Sequence, residues 1–349
     1  MILILLLFVG GICFNISPYV SFVFTFQPGT YGDATGGHVR RTATARFIRQ
    51  LNWIAEHAHR SNLKIEVVVT IWPSLKGDLM RTDDLTSSMR DLNLSLPTNL
   101  QTLRLIHVTH EAIKAEMPDV PKGLHVLEYV GKNIASRRAH GEVLILGGSD
   151  CMPHEAFFDW IALKLVKKNS VYGMHRCMLE EDLTSNVDDI RETVRQRESI
   201  AKRKKLIINN GMERDSFIAE PNTTTQFSEM WTYNAAGDFT MITRSDFLDM
   251  RGYVEAPFRA HVDTLFLYQC HAAKMKVYVF DVPIVCFHQN HDRGDSIIAD
   301  YPIDTVDNAK SFQPLIDRGL FVPVNRNHNW GLMNYHLQSE IYKNGKKII

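Results

Sequence analysis

Apolar runs of strand length alternate with segments of helical periodicity along most of this chain. Tyr19–Phe26 (YVSFVFTF) is rich in β-branched and aromatic residues and breaks at Pro28-Gly29, the pattern of a buried strand that ends in a loop. Phe47, Leu51, Ile54, Ala55 and Ala58 then share one face at helical spacing, which predicts an amphipathic helix to about His59. Leu63–Trp72 (LKIEVVVTIW) returns to strand character and stops at Pro73. A loop-rich stretch from Ser74 to Thr102 leads to the strand Leu103–Thr109, a helix around Asn133–Ala139 capped by Gly141, and the short apolar run Glu142–Leu146. This order predicts an α/β fold with a mostly parallel, Rossmann-like sheet and helices on both faces. In such folds ligands sit outside the carboxyl ends of the strands.

The second half differs in texture. Ala156–Lys167 reads as helix, Ser170–His175 as strand, and Asp188–Lys205 as a charged helix whose basic end, Lys202 to Lys205, is a solvated face or an anion site. Gly211–Gln226 is polar and turn-rich. Phe239–Thr243 (strand), Arg244–Met250 (helix), Val262–Met275 (helix) and Val277–Phe280 (strand) follow. With no internal repeat and no Gly/Ser linker, residues 19–349 read as one composite domain with halves 19–150 and 151–349.

Residues 1–18 stand apart. The run Ile2–Phe14 is short of the roughly 20 residues that cross a bilayer and matches the apolar part of a secretory signal, yet no Lys or Arg precedes Arg40. A signal or weak anchor, a truncated upstream segment and a buried first strand all remain open. Residues 1–16 acting as a signal or anchor would put the chain in the secretory pathway or at a membrane; otherwise it is cytoplasmic. The sequons at Asn15, Asn93 and Asn222 do not decide between these.

Composition narrows the function class. The 349 residues are 45% hydrophobic and 22% charged, which argues against disorder and against a multi-span membrane protein. Lys+Arg 39 balance Asp+Glu 39, so no overall basic excess draws a nucleic-acid backbone, and none is expected as partner. Five cysteines, odd in number and never C-x-x-C, indicate neither a disulfide framework nor a structural zinc site.

Candidate chemistry gathers after the fourth strand-like run. In Gly141-Glu-Val-Leu-Ile-Leu-Gly-Gly-Ser-Asp150 an apolar strand ends in small residues and a carboxylate, so Asp150 is placed to hold a divalent cation, Mg2+ or Mn2+, or else to serve as a turn or capping residue before the next helix. The preceding helix carries Lys132, Asn133, Arg137 and Arg138, expected to face the same edge. After the run Val282–Phe287, one of His288 and His291 is placed to complete a metal site with Asp150. Asp263 opens an apolar helix and on pattern alone is an N-cap candidate, Asp238 a turn carboxylate, and Trp330 a sugar-stacking ring or an anchor for the terminal segment.

The combination GKNIASRRAHGEVLILGGSD resembles GT-A-fold glycosyltransferases of the large family-2-like group, in which an Asn-bearing helix, an A-x-G-E turn and an apolar strand lead to a D-x-D metal motif. The resemblance extends from about Tyr19 over most of the chain, through VSFVFTF, IEVVVTIWP, NAAGDFTMITRSDFLDMRGY, HVDTLFLYQCHAA, CFHQNH and NWGL. Gly148 stands where the first acid of D-x-D would be, so one carboxylate of the pair is missing.

The resemblance implies a GT-A-like fold with a nucleotide-sugar-binding half (19–150) and an acceptor half with a C-terminal tail (151–349). It implies a nucleotide-diphosphate sugar donor contacted by Thr25, Asp33, Trp72, Lys132, Asn133, Arg137, Arg138, Ser149 and Asp150, and an Mn2+ or Mg2+ ion at Asp150 with His288 or His291. It also implies a catalytic base at Asp263, a sugar-facing Asp238, and a glycan, lipid or protein acceptor near Arg244 and Trp330. Two other readings stay open: a sugar-nucleotide or glycan-binding module that has lost the chemistry, favoured by Gly148, and a nucleotidyltransferase, disfavoured because the loop FQPGTYGDATGG lacks a basic residue.

Overall fold

In the computed structural model of the protein, the residues described are 17–27, 43–73, 85, 89, 93–117, 126–179, 183, 186–204, 206–209, 212–215, 227–229, 239–255, 262–280, 284–289, 325 and 328–349. The first part runs β1 (Val20–Phe26), α1 (Ala43–Arg60), β2 (Ile65–Ile71), β3 (Leu103–His107), α2 (His110–Glu116), α3 (Glu128–Arg138), β4 (Val143–Gly147), β5 (Cys151–Pro153) and α4 (Glu155–Ala162). The second runs β6 (Ser170–Gly173), β7 (Arg176–Leu179), α5 (Val187–Lys204), β8 (Leu206–Asn209), β9 (Met212–Asp215), β10 (Phe227–Glu229), β11 (Phe239–Thr243), α6 (Arg244–Asp249) and α7 (Val262–Ala272). Then come β12 (Lys276–Phe280), β13 (Cys286–Gln289), a 3-10 turn at Trp330–Leu332, β14 (Ser339–Lys343) and β15 (Lys346–Lys347). Among the described residues, no helix is long and apolar enough to cross a membrane.

The main sheet has the order β10-β12-β6-β11-β4-β1-β2-β3-β14-β15. Strands β4, β1, β2 and β3 are parallel neighbours, and β6 and β12 run the same way because β11 lies antiparallel between β4 and β6. The fold is therefore α/β with a mixed, mostly parallel sheet. A second, smaller sheet, β5-β13-β7, stands beyond the carboxyl end of β4.

Alternation along the central strands builds two cores. On one face Phe22, Phe24 and Phe26 of β1, Val67 and Val69 of β2 and Ile145 of β4 meet Phe47, Trp53 and Ile54 of α1 and Phe157 and Phe158 of α4. On the other, Val23, Val68, Leu144 and Leu146 meet Val130 and Ile134 of α3, Phe247 of α6 and Phe266 of α7. The polar residues of these strands face α3 and are satisfied there: Thr25 Oγ1 donates to Glu128 O at 2.6 Å and Thr70 Oγ1 to Gly131 O at 2.7 Å. At the amino edge the buried Glu66 carboxylate accepts from Ser21 Oγ at 2.6 Å and from the backbone N–H groups of His140 and Gly141. That carboxylate fixes the turn from α3 into β4, since a buried charge is tolerated when donors surround it.

The capping role expected of Gly141 does not hold. α3 ends at Arg138 with Ala139 extended (φ −72°, ψ 152°), so Gly141 is not the C-cap. It is required instead because a Cβ there would lie 2.5 Å from Ser21 Oγ. Gly131 plays the same part inside α3, where a Cβ would lie 2.2 Å from Thr25 Oγ1, so the helix settles directly onto β1.

The far side of α3 is covered by two returning segments. Asn133 Nδ2 donates to Tyr253 O at 2.8 Å and to Glu255 Oε1 at 3.0 Å, while its Oδ1 accepts from Tyr253 N at 2.9 Å. Glu255 Oε1 also accepts from Gly331 N at 2.7 Å, so one carboxylate joins α3 to the C-terminal segment. Arg137 Nη1 donates to His328 O and Trp330 O, and Arg138 donates to Gly331 O and Leu332 O at 2.7 Å each.

Two outcomes follow. Gly131→Ala is expected to lower unfolding free energy by roughly 1–3 kcal/mol through overpacking, and Thr25→Ala in the same chain to restore part of it. Denaturant titration of both variants and the pair would show this; strictly additive losses would disprove the contact. Burial, only partly offset by the bonds from Asn133 and Gly331, pushes the Glu255 carboxyl from 4.5 up to about 7. The folded chain thus keeps this proton longer than the unfolded chain, and native stability falls as pH rises from about 4.5 to about 7. Glu255→Gln keeps the acceptor oxygen and should remove that slope, becoming the more stable protein at pH 8 by thermal melting. An unchanged slope would refute the assignment.

Candidate functional site

β4 lies mid-sheet between the parallel β1 and the antiparallel β11, and its chain leaves the sheet through Gly148-Ser149-Asp150 before starting β5. Small residues there leave the carboxyl edge open, and Ser149 and Asp150 are both partly exposed. The turn is held from α1. Gln50 Nε2 donates to Gly148 O at 2.8 Å and to Cys151 O at 2.6 Å, bracketing Asp150, and Trp53 Nε1 donates to Pro153 O at 2.7 Å. From the other side, Gln289 of β13 donates its backbone N–H to Asp150 O at 3.1 Å. Its side chain is itself fixed, accepting from Arg49 Nε at 2.7 Å and donating to Arg46 O at 3.0 Å.

The side chains around Asp150 form a compact donor set. Pairing of β13 with β5 sets His288 opposite Cys151, and His288 Nε2 lies 3.6 Å from Asp150 Oδ2. Cys151 Sγ lies 3.5 Å from Asp150 Oδ1, and one ligand atom from each of Asp150, Cys151 and His288 falls within 4.8 Å of the others. The buried guanidinium of Arg46 approaches the same carboxylate at 3.8 Å. Burial first, then the neighbouring Cys286 thiol and the Asp150 charge, push the Cys151 thiol well up. His154, not Asp150, caps α4, its Nδ1 accepting from Ala156 N at 3.0 Å.

A second cluster lies at the start of α3, on the same carboxyl edge because Thr25, near the end of β1, bonds Glu128 O. Lys132, nearly fully buried, pairs with Glu128 at 2.7 Å and stands 4.9 Å from the centre of the Tyr129 ring. The Tyr129 phenol bonds the Asp263 carboxylate, and burial, reinforced by the Asp263 charge, raises its pKa well above the usual value. Asp263 is the second residue of α7 and so is not its N-cap.

Several expected site residues are employed elsewhere. α3 runs antiparallel to β4, so Arg137 and Arg138 lie at the amino edge; Arg104 Nη1, near the start of β3, donates to Arg138 O at 2.7 Å. They clamp the C-terminal carbonyls rather than face Asp150. Arg244 follows β11, whose antiparallel pairing puts Thr243 opposite Val143, and it too lies at the amino edge, away from an acceptor near Asp150. Asn133 spends its amide on Tyr253 and Glu255, Thr25 spends its hydroxyl on α3, and Trp72 is wholly buried in the core, so none presents a donor surface. Trp330 is 6% exposed beneath Arg137, whose Cζ lies 4.5 Å from the ring centre; it anchors the terminal segment instead of stacking on a sugar. Asp33, Asp238 and His291 lie outside the described residues.

Sequence reasoning passed over Gln50, Gln289, Tyr129 and Cys151. Gln289 and Cys151 stood next to residues already singled out, and that adjacency was the available signal.

No protein-family model and no curated protein matches this chain. Among solved structures it is similar to the mannosyltransferase PcManGT from Pyrobaculum calidifontis in complex with GDP-Man and Mn2+, at 14% identity and TM-score 0.42, over 80% of this chain and 59% of that one. It is similar to S. aureus TarS in complex with UDP-GlcNAc, at 13% identity and TM-score 0.44, over 86% and 66%. A third likeness is to GalNAc-T7 with UDP, GalNAc and Mn2+, at 11% identity and TM-score 0.45, over 86% and 48%. The chain thus spans about half to two thirds of the length of these proteins. The substrates and metal named for these proteins are theirs.

Proposed function

We propose that this protein is a glycosyltransferase that moves a sugar from a nucleotide-diphosphate donor to a hydroxyl of a glycan, lipid or protein acceptor, with inversion. What carries the reading is the position of Asp150, at the carboxyl end of the central strand, beside the imidazole of His288. That is the edge where doubly wound sheets bind ligands. Asp150 and His288 would hold a divalent cation, which when bound stabilises the charge that develops on the leaving diphosphate. Arg46 adds a fixed positive charge beside the same carboxylate. Of the three expected cations of α3, Lys132 stands near this edge and Arg137 and Arg138 do not, and Ser149 in the turn is assigned to the donor with it.

Asp263 acts as the base in this scheme, taking the proton from the acceptor hydroxyl as that oxygen attacks the anomeric carbon. The Tyr129 phenol orients its carboxylate through their hydrogen bond. Asp238 keeps its proposed place beside the sugar. One observation favours a second reading, a binding module without turnover: Gly148 removes the first carboxylate of the D-x-D pair.

UDP-GlcNAc and GDP-Man serve as donor probes in thermal-shift titrations with and without Mn2+. A donor at about 100 times its dissociation constant should stabilise the fold by roughly 2.7 kcal/mol, and Asp150→Asn should remove the Mn2+-dependent part. Asp263→Asn should keep the donor-induced shift while slowing transfer or donor hydrolysis by about 10²–10⁴. Donor binding without turnover in the unaltered protein would favour the binding module, and turnover that survives Asp263→Asn would remove Asp263 as the base.

A further inference from the structure

We propose that Asp150, Cys151 and His288 form a three-residue site selective for a borderline transition-metal ion such as Zn2+ or Co2+ over Mg2+, with the Cys151 sulfur as a direct ligand. The inference deepens the metal assignment made above and rests on its placement of the cation at Asp150.

The donor chemistry is the first argument. One carboxylate, one imidazole and one sulfur offer a single hard oxygen, whereas Mg2+ seeks near-octahedral oxygen ligands at about 2.0–2.1 Å. Sulfur and imidazole together favour softer ions. Gly148 sharpens the point, because the position that would have supplied a second oxygen supplies no side chain at all.

Spacing is the second argument. A tetrahedral ion with bonds of about 2.0–2.1 Å to nitrogen and oxygen and about 2.3 Å to sulfur holds its ligand atoms about 3.3–3.6 Å apart. His288 Nε2 stands 3.6 Å from one Asp150 oxygen and Cys151 Sγ 3.5 Å from the other. Octahedral neighbours around Mg2+ would be closer, about 2.9 Å. All three ligand atoms already lie within 4.8 Å of one another, so a turn of the carboxylate and a small inward shift close the site. The backbone beneath them is rigid, since Gln50 and Gln289 fix residues 148–151 and β13 pairs directly with β5.

Charge is the third. On binding, the Cys151 S–H bond breaks, a metal–sulfur bond forms, and the proton leaves to water. Carboxylate and thiolate then neutralise the dication, and the fourth position can take an anion, with the Arg46 guanidinium 3.8 Å from the same carboxylate. A diphosphate oxygen of the proposed donor is such an anion.

Cobalt absorption of the full chain, stripped of metal with a chelator and titrated without donor, tests this. The expected result is tetrahedral visible bands with a thiolate-to-cobalt charge-transfer band, bleached by one equivalent of Zn2+ and unaffected by excess Mg2+. Cys151→Ser should abolish the charge-transfer band and weaken Zn2+ binding by more than the roughly 10–100-fold that loss of an outer-shell partner costs. Cys286→Ser, which alters the neighbouring thiol, should keep the band. Cobalt bound without a charge-transfer band, a band that survives Cys151→Ser, or displacement by Mg2+ would each overturn the proposal. The wild-type spectrum decides whether a thiolate ligates the ion at all, and the band kept in Cys286→Ser excludes the neighbouring thiol, so misfolding of Cys151→Ser leaves the test intact. Donor thermal shifts measured in parallel separate the two claims. A thiolate–cobalt spectrum without donor binding sinks only the transferase reading, and Mn2+-dependent donor binding without that spectrum sinks only the sulfur ligand.

Discussion

Everything at the carboxyl edge hangs on the amide of Gln50. A strand leaving a sheet exposes carbonyls that have lost their ladder partners, and buried carbonyls must find donors or the turn will not hold one shape. Gln50 supplies both N–H bonds from a single side chain, to Gly148 and Cys151, and so fixes the residue between them. Gln289 reinforces this from β13, held by Arg49 and by the Arg46 carbonyl. Asp150 is therefore positioned by α1 and β13 jointly, across more than a hundred residues of sequence. A ligand on such a frame starts from a fixed backbone, which limits the reorganisation a metal or anion site requires to its side chain.

The same logic explains why α3 looks weakly amphipathic. It is covered on both sides, by the sheet through Thr25 and Thr70 and by the 252–255 and 328–335 segments through Asn133, Arg137 and Arg138. Asn133 is buried and Arg137 and Arg138 half-buried because backbone groups of those segments satisfy them where the chain returns. A helix of this kind acts as a keel for the fold.

The strands were the most legible part of the sequence. The β-branched and aromatic runs VSFVFTF and IEVVVTI read as strands, and the carboxyl end of GEVLILGG put Asp150 at the ligand edge, because residue type and strand direction are local properties. The antiparallel insertion of β11 between β4 and β6 was not legible, since neither neighbour is adjacent in sequence. Helix direction was overlooked in a more instructive way. Lys132, Arg137 and Arg138 look like one basic cluster, yet the helix spans the sheet from edge to edge, so its two ends serve different edges. Spacing alone identified the candidates; only the antiparallel run of α3 against β4 sorted them.

The ends of the main sheet have a consequence of their own. Among the described residues it runs on one side to β15, two residues long, both exposed lysines, and on the other to β10, three residues long. Unpaired strand edges are templates for other chains, and short, charged ones frustrate that pairing. The hairpin of β14 and β15 lends the parallel core a blunt margin, in which Lys347 pairs with Glu340 at 2.9 Å and Lys346 faces solvent, so the edge is too short and too polar to template a second copy of the strand.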